Sequence, residues 1–244
     1  MSSRARFALP VLLVLVALVC VRLGVWQAHR LRDRRAANRV ALAARTQPAV
    51  ELRSLAAAPA QLAGRRVRAT GHYDRAHEIV LRGVTFEGSP GVQIVTPLRL
   101  SDGGAVLVKR GFMPAPDAVS ADVARLDEPG VVTVTGLALP IDSGGRSGAP
   151  LTRNGRTTWS RLELKELRAR TPYPLLGSYI LQTPDSSLPS LPRRIAEPAL
   201  DDGPHLSYAI QWFAFALTAL TVAGIFAFRS TAPPEHHPAP RSSG

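Results

Sequence analysis

Two apolar runs frame the chain. Over 7–26 the sequence reads FALPVLLVLVALVCVRLGVW, about the 20 residues that a helix needs to cross a bilayer core. Arg22 is close enough to the end of this run to snorkel towards headgroups. A cleaved signal peptide is the competing reading, because Arg4 and Arg6 precede the run. The run is too long for a signal h-region, however, and the bulky WQAHR that follows offers no small-residue cleavage site, so an uncleaved anchor is expected. Over 207–228, SYAIQWFAFALTALTVAGIFAF is uncharged and predicts a second span, closed by Arg229. A chain that leaves a bilayer after Trp26 and re-enters near Ser207 does both at one face. Residues 22–30 and 205–212 are therefore expected at similar depth.

Between the runs the period changes. The stretch 29–45 is Arg- and Ala-rich and reads as a helical stalk resting on headgroups, and 51–62 reads as a further short helical piece. Segments 67–73, 78–82, 91–100, 105–112 and 131–139 alternate, are β-branched and are bounded by turn residues, which predicts strands. Asp102-Gly103-Gly104 marks a hairpin between two of them. A short helix is predicted over 161–170 and a last strand over 179–183. The Gly-rich 143–148 reads as a loop and the Pro-rich stretch from 184 as an extended connector. The expected fold is thus a two-span α-helical anchor with an inserted, mainly antiparallel β-rich (α+β) extramembrane domain, either an open sheet or a partly closed barrel. Its parts are an N-terminal tail (1–6), a first span (7–26), an Arg-rich helical stalk (27–62), the β-rich domain (63–183), a connector (184–206), a second span (207–228) and a disordered tail (229–244).

Composition narrows the chemistry. The net charge of +12 comes almost entirely from arginine, Lys109 and Lys165 being the only lysines. The arginines are scattered without a nucleic-acid reading motif, so anionic membrane lipid is the expected partner rather than nucleic acid. Arg30, Arg32, Arg34, Arg35 and Arg39 follow the first span while Arg4 and Arg6 precede it. A positive-inside count would put the large domain in the cytoplasm, but domains of this length translocate regardless of charge, and orientation stays open on this ground. Cys20, the only cysteine, lies inside the first run. That excludes an intrachain disulfide, a Cys-ligated metal in the middle domain and a sortase-like thiol. No G-x-S-x-G elbow or phosphate-cradling loop is present, and His72 and His77 read as polar strand-surface residues. The tail histidines His236 and His237 read as solvated.

The informative residues cluster at the shared membrane face. His205, Tyr208, Trp212 and Phe215 recur at helical spacing, as do Arg22, Trp26 and Arg30, with Gln27 beside them. One reading is an interfacial belt of aromatics with snorkelling arginines. The other is a porphyrin site, in which His205 is the axial ligand to haem iron, the aromatics stack on the macrocycle and arginine pairs with propionates.

These stretches also resemble the surfeit-locus family of cytochrome c oxidase assembly factors. The similarity rests on LGVWQAHR at 23–30, GHY at 71–73, TPL at 96–98 with VLVKRGFMP at 106–114, and HLSYAIQWF at 205–213. Lys109 stands where the family usually has Asn, and Asp202-Gly203-Pro204 replaces an Asn-containing approach to the histidine. The resemblance implies a non-enzymatic assembly factor that helps haem a reach subunit I of a haem-copper oxidase, with haem a synthase as a further partner. It carries over His205 as candidate haem ligand and metal-binding residue, with Tyr208 and Trp212 near it and Trp26, Gln27 and Arg30 as the facing motif. Arg110-Gly111 is expected to be a tightly turning strand end. The resemblance also implies an extracytoplasmic domain with both termini cytoplasmic, and the lack of a presequence ahead of Phe7 favours a bacterial plasma membrane. The rival readings are an oxidase-assembly scaffold without haem, a membrane-anchored envelope hydrolase or transpeptidase, and a lipid-binding tether built on the Arg-rich stalk.

Overall fold

The computed structural model describes residues 3–55, 62–123, 126, 128–141, 150–153 and 156–231. They fall into two compact units, one formed by the chain ends (1–39 and 200–244) and one by residues 40–199. The 143–148 loop and the tail histidines lie outside the described residues.

Helix α1 runs from Ser3 to Thr46 without a break. Nothing in the Ala- and Arg-rich sequence beyond Trp26 breaks it, and it ends where Pro48 forbids helical geometry for the residue before it. The helix expected over 51–62 is corrected at its start: β1 (Val50–Leu52) is a strand, paired in parallel with β2 (Arg66–Tyr73). Val50 and Leu52 alternate with exposed Glu51, and the Leu52 side chain is buried in the core, a gain that three residues of helix could not match.

The remaining strands are β3 (Ile79–Phe86), β4 (Ser89–Arg99), β5 (Ala105–Pro114), β6 (Val132–Pro140), β7 (Leu151–Arg153), β8 (Arg156–Trp159) and β9 (Leu175–Gln182). The short α2 (Leu164–Arg170) precedes β9. The strand order is β1-β2-β6-β9-β5-β4-β3-β8-β7, and β2 also pairs with β4 through Tyr73 and Leu98. Strands β2, β6, β9, β5 and β4 therefore close on themselves as a five-stranded barrel. The expected mainly antiparallel sheet is in fact mixed, because β1–β2, β3–β8 and β5–β9 run parallel. Every barrel strand sends side chains inward: Val67, Leu98, Val106, Val134 and Ile180 share one core cluster. The expected hairpin is present, with the Gly104 N–H donating to Asp102 Oδ1 at 3.0 Å and Gly103 at a φ of 84°.

Arg110 is not at a strand end. It sits in the middle of β5, where Ile94 pairs with Gly111 and Val95 with Lys109, leaving Arg110 as the extra residue of a β-bulge. Its side chain is 1% exposed. Nη2 donates to Glu128 Oε1 at 2.7 Å and to the Leu126 carbonyl at 2.9 Å, Nη1 lies 3.5 Å from Glu78 Oε2, and the guanidinium covers the Tyr73 ring at 4.7 Å. Arg194, also buried, donates to the same Glu128 oxygen at 3.3 Å. Burial raises the pKa of Glu78, against the pull of the Thr96 hydroxyl and Arg110. Gly111 has a φ of 149°, and any Cβ there would run into the Arg193 carbonyl, which accepts a hydrogen bond from Phe112 N–H at 2.8 Å.

Elsewhere in this unit, Asp74 accepts hydrogen bonds from the Tyr173 hydroxyl at 2.8 Å and His77 Nδ1 at 2.9 Å. Burial opposes the charge, but those donors prevail and hold the Asp74 carboxyl below its ordinary value. A depressed carboxylate contributes stability that is present above its unfolded pKa and is lost as pH falls through the folded one. Denaturant titrations should therefore show wild type more stable than Asp74→Asn at neutral pH. The gap should narrow as the solution is acidified below the ordinary aspartate range, and a gap that does not change with pH would contradict this assignment.

Candidate functional site

Helix α3 (His205–Thr231) packs antiparallel on α1. On α1 the residues turned inward are Ala17, Cys20, Gly24, Gln27 and Leu31, and on α3 they are His205, Ala209, Trp212, Ala216, Ala219 and Ala223. Both series alternate steps of three and four, the spacing that keeps one seam in register along two helices. The seam is lined with small residues: Ala17, Cys20, Ala216 and Ala219 form one buried cluster, with Trp212 packed against it. A Cβ on Gly24 would stand 2.8 Å from the Phe213 ring, so this glycine admits an aromatic side chain against the α1 backbone. Gly24→Ala should therefore push the exposed Phe213 ring off its present rotamer and cost about 0.5–1.5 kcal/mol. Gly24→Ala/Phe213→Ala should recover most of that loss in detergent-solubilised thermal melts, and no recovery would contradict the contact.

Within the apolar runs, the sides of both helices away from the seam present apolar surface outward, including Leu12, Leu18 and Val19 on α1 and Ile210, Leu217 and Phe228 on α3. Each helix is long and apolar enough to cross a membrane, and most of its apolar window is unburied, as in a membrane-anchored protein rather than a soluble core. α3 continues through Thr231, past the point at which the sequence suggested a disordered tail.

His205 sits at the end of the seam, its imidazole partly buried, with Nδ1 2.9 Å from Gln27 Oε1. A carbonyl oxygen can only accept, so Nδ1–H is the donor, and in the neutral ring this leaves the lone pair on Nε2. The turn before it is built by Asp201, whose Oδ1 accepts the Gly203 N–H at 3.0 Å, and by Gly203 at a φ of 66°. Ser207 then donates to the Pro204 carbonyl at 2.8 Å in the first turn of the helix.

Of the six residues singled out from sequence, the structure joins two directly, His205 and Gln27. Trp212 lies in the seam and meets Phe215 edge-on at 5.9 Å. Tyr208 is exposed, one turn along α3 from the histidine. Trp26 and Arg30 lie on the exposed side of α1, with Arg22 on the same stripe. The expected meeting of indole and guanidinium with the imidazole is not seen, because Gln27 is the residue that α1 turns towards α3. The sequence reading missed Asn38, whose Nδ2 donates to the Asp201 carbonyl at 2.8 Å, and missed that Arg34 and Arg35 contact the same 201–202 turn. The opposite charges of Arg35 and Asp202 were the available signal.

A pair of long apolar helices joined by a small-residue seam, an imidazole oriented at the end of that seam and a closed β-barrel inserted between the two helices in sequence define a class of helix-anchored barrel proteins. This chain belongs to the SURF1 family, which it matches over residues 14–217. It is 30% identical over 165 residues to a SURF1-like protein of Mycobacterium tuberculosis, covering 67% of this chain and 60% of that relative's length. It is 27% identical over 213 residues to a SURF1-like protein of Rickettsia felis, covering 85% of this chain and 92% of the relative. A SURF1-like protein of Monosiga brevicollis is 29% identical over 227 residues.

Among the described residues no group of three or more His, Cys, Asp or Glu could enclose an ion. A porphyrin would bring its own equatorial nitrogens and ask the protein for a single axial imidazole, which His205 would be the residue to supply.

Proposed function

We propose that this protein is an assembly factor for a haem-copper (cytochrome c) oxidase that holds haem a transiently on His205 and passes it towards subunit I. The observation that carries the reading is the His205–Gln27 hydrogen bond at 2.9 Å. Metal-binding histidines characteristically donate their other ring N–H to a fixed acceptor, which sets the tautomer and aims the ligating nitrogen. When bound, haem would supply the macrocycle and the iron. His205 would provide one axial nitrogen, and Tyr208 and Trp212 apolar surface beside it. Arg30, just beyond the apolar run of α1, would pair with a carboxylate, with Trp26 as an interfacial anchor. A single imidazole holds such a cargo loosely enough to release it. The protein itself breaks and forms no covalent bond in this role.

In this reading both helices span a bacterial plasma membrane, the β domain is extracytoplasmic and both termini are cytoplasmic. Subunit I is the main partner, with haem a synthase as a source of cargo and anionic lipid around the Arg-rich part of α1. The alternative is a scaffold without haem, favoured by the broad apolar surface that α1 and α3 leave open to other transmembrane helices. Complementation of a strain lacking the gene separates the two. Under the haem reading, wild type restores the haem a content of subunit I and His205→Ala does not. Restoration by both would leave the scaffold.

A further inference from the structure

From the contacts around residues 200–204 we infer that Arg34, Arg35 and Asn38 form a latch that fixes the start of α3 and thereby positions His205 on Gln27. This rests on His205 being the functional group of the proposed reading. Two donors from successive turns of α1 converge on one backbone acceptor: Asn38 Nδ2 at 2.8 Å and Arg34 Nε at 3.2 Å, both to the Asp201 carbonyl. Arg35 Nε donates to Asp202 Oδ2 at 2.8 Å. Asp201 Oδ1 accepts the Gly203 N–H at 3.0 Å and lies 4.0 Å from Arg34 Nη2, so the same residue closes the turn with its carboxylate and is tied to α1 chiefly by its carbonyl.

The turn is followed at once by the histidine. Gly203, in the left-handed region, and Pro204 separate Asp202 from His205, and α3 begins at the histidine itself. Left to the seam alone, the first turn of α3 would be held only below the imidazole, by Ala209 and Trp212, and the first turn of a helix frays readily. The latch holds it from above. Gln27 and Asn38 are eleven residues apart on α1, three helical turns, so both project from the same side of the helix and bracket the His205 turn. Arg34, Arg35 and Asn38 are therefore positioning residues: they set the imidazole's geometry without touching a cargo. Their role also changes how this basic segment is read, since two arginines that the sequence assigned to lipid headgroups have protein partners.

The test uses the full chain in detergent and reads the histidine first without any cargo. Nitrogen-15 NMR of the His205 ring distinguishes an Nδ1–H tautomer held by Gln27 from the mixed population of a free imidazole. Arg34→Ala/Asn38→Ala should shift the ring towards the mixed population and weaken titrated haem binding about five- to tenfold, as expected for losing two hydrogen bonds to one acceptor. Asp202→Asn, a milder change, should shift it less. The swap Arg35→Asp/Asp202→Arg should restore what either single change loses. Variants that keep both the wild-type tautomer and the wild-type affinity would overturn the latch. If the tautomer follows the latch as described but wild type binds no haem through His205, the latch stands and the haem reading falls.

Discussion

Arg110→Met should destabilise the β domain by about 3–5 kcal/mol, the cost of leaving buried carboxylates without their cation. Methionine fills much of the same space, so packing loss is small and the effect isolates the charge. Glu78 and Glu128, at 7% and 16% exposure, would both lose the Arg110 cation; Glu78 would keep the Thr96 hydroxyl at 2.8 Å and Glu128 would keep Arg194 at 3.3 Å. The penalty should depend on pH in a definite direction. Burial already raises the Glu78 pKa in the folded state, and removing the nearby guanidinium raises it further. A carboxyl whose folded pKa lies above its unfolded one destabilises the fold once pH exceeds the unfolded value, because the native state must then release a proton that it binds more tightly. The variant should therefore recover stability relative to wild type on acidification, and Arg110→Met/Glu78→Gln should recover part of it at neutral pH. Chemical denaturation across pH measures all three. A loss under about 1 kcal/mol, as for an exposed ion pair, would show that the network is not the support described here.

Gln27→Ala should weaken haem binding about 10- to 100-fold while leaving the helix pair assembled, the usual scale for removing the partner of a ligating histidine. The amide touches only the imidazole in the described contacts, and the packing of the seam is carried by Ala17, Cys20, Gly24 and the alanines of α3. Trp26→Phe, on the exposed side of α1, should change affinity much less. Equal losses from the two substitutions would mean that the cargo sits on the outer stripe of α1 and that the seam-end histidine is not its ligand.

The two long apolar helices and most long strands were legible because their patterns are local. An uncharged 22-residue run and the alternation of VLVKRGF need no knowledge of what they pack against. The short strands were not legible: β1, β7 and β8 have three or four residues each, too few for a period of two to show, and they exist only because a neighbouring strand pairs with them. Parallel pairing of β5 with β9 and closure of the barrel through Tyr73 and Leu98 are long-range for the same reason. Arg110 escaped because a bulge is a register fact between two strands, invisible in either alone. At the helix pair, the sequence drew attention to the aromatic and arginine stripes, and it identified His205 and Gln27. Arg22, Trp26 and Arg30 do share one stripe of α1, but that stripe is exposed, and Gln27 beside it is the residue that reaches α3. In a packed membrane helix pair the small residues mark the contact, and the step from Ala17 to Cys20 to Gly24 to Gln27 traces it.

The most direct measurement is the visible absorption spectrum of the full-length protein purified from cells that make haem a, taken in parallel for wild type and His205→Ala at matched protein concentration. The account predicts a haem a spectrum in wild type that is lost in the variant, with both proteins showing the same helicity by circular dichroism. A His205→Ala protein that retains the full haem absorbance would contradict it.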